Sequence, residues 1–99
     1  MIVIEDEAHA ERCGEYPAWD DAMAELVRRS KLRWDEEPNL APCMSWKRCG
    51  RRYEVVEYDA VETPWREVRR QPVLEINASG VTWLVAVTGG VKYSHLGRG

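Results

Sequence analysis

The chain has 99 residues, 44% of them apolar and 31% charged, with a formal net charge of −3. That length fits one domain (1–99) with a modest core burying roughly 65% of the unfolded surface, without metal or disulfide staples. The balance excludes a disordered, highly charged tail, and no apolar run is long enough for a membrane-spanning helix.

Ile2, Val3 and Ile4 read as a short strand, followed by an acidic stretch over 6–15 with no firm period. Residues 17–33 give the clearest helix. Trp19, Ala22, Met23, Leu26, Val27 and Ser30 share one stripe, Pro17 suits the first turn, acids come early and bases late. Pro38 sets an outer limit, because the residue before proline avoids the α region.

Residues 34–51 have no stable period and contain Pro38, Asn39, Pro42 and Gly50. A connection of this length inside a compact domain is usually functional, and Leu40, Met44, Trp34 and Trp46 predict that it packs on the body of the domain. From Tyr53 the pattern turns to β. Tyr53–Tyr58, Trp65–Arg70 and Val73–Asn77 read as strands, Asn77–Gly80 as a turn, and Val81–Thr88, apolar on both faces, as the central strand. Gly89-Gly90 fits a two-residue hairpin turn, Val91–Leu96 returns along the sheet, and 97–99 fray. The expected fold class is α+β, one main helix packed on a mostly antiparallel sheet of four to six strands.

Charge is distributed in blocks. Residues 1–27 hold eight acids and one base, whereas 28–52 hold eight bases and three acids. Arg outnumbers Lys eleven to three, a preference that follows GC-rich codons and suggests a bacterial or phage source. The first residues lack the basic and long apolar regions of a signal peptide, so a cytoplasmic location is expected. Three cysteines in a reducing compartment argue against a disulfide framework.

The most distinctive stretch is 43–53. Met44, Trp46, Lys47, Arg48, Arg51, Arg52 and Tyr53 are the residue types enriched at interface cores, which makes a docking segment for a partner protein the leading expectation. The same cations beside Trp46 and Tyr53 would suit phosphates and bases, so a nucleic-acid-contacting accessory protein is the alternative, opposed by a pI near 5.4. A third reading is a zinc-stabilised module with His9, Cys13, Cys43 and Cys49 as ligands, although five residues between Cys43 and Cys49 exceed the usual knuckle spacing. No nucleophile elbow, phosphate loop, dinucleotide fingerprint or zinc-protease motif occurs, so no enzymatic activity, catalytic residue or cofactor is expected. The chain reads as a small regulatory or inhibitory protein.

Overall fold

A computed structural model of the chain describes residues 1–41 and 50–85, together with the backbone of 87–88 and 92–93. Its strands are β1 (Ile2–Asp6), β2 (Glu11–Tyr16), β3 (Arg51–Asp59), β4 (Arg66–Asn77) and β5 (Gly80–Trp83). The helix α1 spans Trp19–Ser30, between β2 and β3. Five strands form one antiparallel sheet in the order β2-β1-β3-β4-β5, and α1 packs on one face of it. A separate two-stranded ribbon pairs β6 (Val87–Thr88) with β7 (Lys92–Tyr93), whose backbone approaches α1. This is an α+β arrangement, as the periodicities require. Among the described residues no helix is long and apolar enough to cross a membrane.

The helix forms where its stripe lies. Ala22, Met23, Leu26 and Val27 are buried, while Asp20, Asp21 and Arg28 face outward. It is shorter than the 17–33 expected. Ala18 is an extended N-cap, so Pro17 stays outside, and at the other end Ser30 Oγ donates to the Val27 carbonyl while Lys31 N donates to Arg28 O. Closure comes from Asn39. Its Nδ2 donates to the carbonyls of Arg29 (2.9 Å), in the last turn of the helix, and Arg33 (3.1 Å), just beyond its end.

Each strand pair explains part of the core. Ile2 and Ile4 on β1 share the helix-side face with Tyr53 and Val55 on β3 and Leu74 and Ile76 on β4, through the pairs Ile4–Val55 and Tyr53–Leu74. Within 6–15, where the sequence shows no firm period, Glu11–Tyr16 is a strand. A bulge at Cys13, between the pairs Ile4–Gly14 and Glu5–Arg12, breaks its alternation and hides the period. The central strand is β3, not Val81–Thr88. β5 forms one edge of the sheet, and Val87–Thr88 belongs to the second ribbon. The two segments Trp65–Arg70 and Val73–Asn77 merge into β4, whose register skips Val68 and Val73, so that Val73 and Leu74 are both buried. The turn after Asn77 is as expected. Asn77 pairs with Gly80, whose φ of +131° suits glycine. The Gly89-Gly90 turn and the 97–99 end lie outside the described residues, although β6 and β7 are antiparallel on either side of 89–91.

Leu26 is wholly buried and Arg28 sits in an exposed pair with Glu25. Leu26→Asp places an unpaired charge in the core and is expected to unfold the domain. Arg28→Ala is expected to leave the melting temperature nearly unchanged. Thermal melts of both check this, and equal, small shifts would mean that the buried face of α1 is elsewhere.

Candidate functional site

Where 42–49 leaves and rejoins the described chain, a buried polar cluster holds both ends. Asp6, at the end of β1, is wholly buried. Its Oδ1 accepts from the amides of Ala8 (3.0 Å) and Arg52 (3.1 Å), and its Oδ2 bonds His9 Nδ1 (2.6 Å) and accepts from Arg51 Nη1 (3.1 Å). Arg51, 9% exposed, also donates to Glu11 and, through Nη2, to the Leu40 carbonyl (2.7 Å). The guanidinium therefore ties β3 to β1, β2 and the stretch entering 42–49. Gly50 completes the clamp, since a Cβ there would lie 2.3 Å from the Ile76 carbonyl oxygen. Only glycine allows the chain to approach β4 so closely.

Arg52 lies beside this cluster, half exposed, paired with Glu7 (2.6 Å) and Glu75 (2.7 Å). Tyr53 faces the helix. It is wholly buried, its hydroxyl donates to Asn39 Oδ1 (3.0 Å), and the Arg29 guanidinium lies 5.3 Å from its ring centroid. Burial pushes its phenol pKa up. Tyr53 is thus a core residue and not the surface anchor expected, because its strand position pairs it with Asp6 and Leu74 on the helix-side face. Arg51 is likewise a structural ion-pair residue that offers no free cation. Of the docking residues, Met44, Trp46, Lys47 and Arg48 lie outside the described residues, and so do the zinc candidates Cys43 and Cys49.

The other two zinc candidates do not share a helix. His9 sits in the β1–β2 turn against Asp6, and Cys13 occupies the bulge of β2. Burial holds the Cys13 thiol above its usual pKa, with Arg51 opposing it. Among the described residues no group of three His, Cys, Asp or Glu side chains could hold a metal.

The sheet face away from α1 carries a second organised surface that sequence periodicity did not single out. Val3, Glu54 and Val56 are buried there. Their neighbours include Glu5, Tyr58 and Arg70, with Arg12 approaching from β2. The Arg12 guanidinium lies 5.4 Å from the Tyr58 ring and 5.3 Å from the Trp65 ring, within cation–π range of both. Tyr58 Oη donates to Glu5, and burial, reinforced by this contact, pushes the phenol pKa up. Arg70 bridges Glu5 (3.1 Å), Glu54 (3.0 Å) and Glu67 (2.8 Å), which raises its own pKa further. The signal for this surface was the alternation Arg52, Glu54, Val56, Tyr58, whose mixed character concealed a charged, cross-linked face.

Compared with protein-family models, curated proteins and solved structures, the chain matches none of them.

Tyr53→Phe removes the hydroxyl and leaves Asn39 Oδ1 buried without a donor, at an expected cost of about 1–3 kcal/mol of stability. Chemical denaturation checks the loss. An unchanged midpoint together with weakened partner binding would return Tyr53 to the surface.

Proposed function

We propose that this chain is a non-enzymatic binding protein of a bacterial or phage type that acts in the cytoplasm by occupying a partner protein through the 43–53 segment and the adjoining sheet. The observation that carries this reading is the clamp around the segment. Asp6, Arg51, the Leu40 carbonyl and the close approach of Gly50 fix both of its ends to the sheet. A loop with fixed ends loses less conformational freedom on docking, which strengthens binding without any added contact. Met44 and Trp46 then supply the residue types that dominate interface energetics.

The described cations of the segment support a protein partner over nucleic acid. Arg51 and Arg52 are neutralised by Asp6, Glu11, Glu7 and Glu75, and nearby Arg29 by Glu25. Phosphate contacts would have to displace these carboxylates. The reading therefore uses Arg51 and Arg52 as anchors of the loop and leaves Lys47 and Arg48 as its cationic contacts.

Affinity purification from the source cell, with and without nuclease, identifies what is bound. The partner is expected to survive nuclease treatment and to bind with little change between low and moderate salt. Trp46→Ala is expected to cost about 2 kcal/mol or more of binding with the melting temperature nearly unchanged. Release by nuclease, with a steep salt dependence that flattens by about two units when Lys47 and Arg48 become Ala, would establish the nucleic-acid alternative instead. If Trp46→Ala costs roughly 3–5 kcal/mol of stability with no separable binding loss, Trp46 is core and the docking segment is excluded.

A further inference from the structure

Among the described residues the five-stranded sheet ends on β2 and β5, and these two edges are built differently. On β2 a bulge at Cys13 interrupts the ladder, and Glu11, Arg12 and Glu15 place charge along the strand. Bulges and charges are the usual protection of an edge against further pairing. β5, Gly80-Val81-Thr82-Trp83, carries no charge, no proline and no bulge. Val81 is 44% exposed and Thr82 is also exposed, while Trp83 is half-buried with one side against the core.

The hairpin fixes which backbone groups of β5 face outward. Asn77 and Gly80 close the two-residue turn as a pair, and Leu84 N donates to Val73 O at 2.7 Å. Gly80, Thr82 and Leu84 therefore direct their N–H and C=O groups toward β4, and Val81 and Trp83 direct theirs away from it.

We propose that β5 is the docking edge for a second copy of this chain, pairing antiparallel with its own symmetry mate about a two-fold axis at Thr82, so that the two five-stranded sheets become continuous. The register follows from the outward groups. Val81 opposes the partner's Trp83, and Trp83 opposes the partner's Val81, each pair exchanging both of its backbone hydrogen bonds. Both side chains of each pair stand on the helix-side face, since Val81 and Trp83 pair with Ile76 and Leu74. An aromatic residue thus covers a β-branched one, a favourable cross-strand combination. On the opposite face Thr82 meets the partner's Thr82, another favourable pair.

A second copy is the occupant that fits because the edge complements itself. An isologous two-fold contact needs a strand whose residues satisfy their own kind in reverse order, and Val81-Thr82-Trp83 does so without bringing like charges together. The nearest charged neighbour, Glu75 opposite Thr82 on β4, is already paired with Arg52. A strand chosen for its charge would gain nothing from this edge. The strand is short, so the dimer is concentration-dependent, and its edge is separate from the 43–53 segment.

Sedimentation equilibrium of the full chain tests this directly. Between about 10 μM and about 1 mM, the weight-average mass should climb from 11.4 kDa toward twice that value. The Val81 and Trp83 amides should exchange hydrogen more slowly as concentration rises, while the Thr82 amide, turned toward β4, should not respond. Thr82→Lys sets two ammonium groups opposite each other at the axis and should hold the protein at monomer mass with an unchanged thermal melt, whereas Thr82→Val should dimerise like the wild type. A wild-type mass of 11.4 kDa throughout, dimerisation of Thr82→Lys at wild-type concentrations, or exchange at Val81 and Trp83 that ignores concentration would each overturn the proposal. The exchange measurement decides the matter on the wild-type chain even if the lysine variant fails to fold.

Discussion

Asp6 occupies a wholly buried position at the end of β1, and taking a carboxylate out of water is costly unless donors replace the lost hydration. Four groups meet it: the amides of Ala8 and Arg52, His9 Nδ1 and the Arg51 guanidinium. They come from the β1–β2 turn and from the start of β3, so one carboxylate holds three strands in register at the end of the sheet where 42–49 departs. Arg51 passes the constraint on to Glu11 on β2 and to the Leu40 carbonyl. At the other side of the same core, Asn39 joins the last turn of α1 to the Tyr53 hydroxyl. The helix end, the strand starts and the described ends of the connection between them are thereby held by two polar centres as well as by apolar contact.

This arrangement changes the meaning of the block charges. An acidic first quarter followed by a basic stretch suggests a cationic patch when read along the chain. Folding brings the blocks together, Asp6, Glu7 and Glu11 against Arg51 and Arg52, so that much of the described positive charge is consumed internally. The asymmetry is therefore in part complementarity between β1–β2 and β3. The exposed pairs contribute little individually. The buried Asp6–Arg51 pair matters most for specificity, because a register shift of β3 against β1 would strand both charges.

The helix and the antiparallel sheet were legible because α1 has a one-sided apolar stripe and the Asn77–Gly80 turn has its characteristic residues. What was hidden had definite physical causes. The bulges at Cys13, Val68 and Val73 each shift the two-residue period by one, which disguised β2 and split β4 in two. The helix end was misplaced because its cap, Asn39, comes from outside the helix. The central strand was misassigned because β3 is buried on both faces by ion pairs and tyrosines as much as by valines. A strand carrying Arg51, Glu54 and Glu57 does not look central until its partners are known. In the candidate segment, the composition of 43–53 was visible, but the burial of Arg51 and Tyr53 depends on contacts with Asp6 and Asn39 far away in sequence.

A double-mutant cycle on Asp6 and Arg51 tests the central constraint. Asp6→Asn, Arg51→Gln and the double variant would be unfolded in denaturant and their stabilities compared with the wild type. Each single change removes one charge of the pair, leaving Arg51 with Glu11 or Asp6 with His9 and the two amides, and should cost about 1.5–3 kcal/mol. The double change removes both charges and should cost less than the sum, by about 2 kcal/mol or more. Additive losses would contradict the role given to this pair as the interaction that sets the register of the sheet and clamps the 43–53 segment.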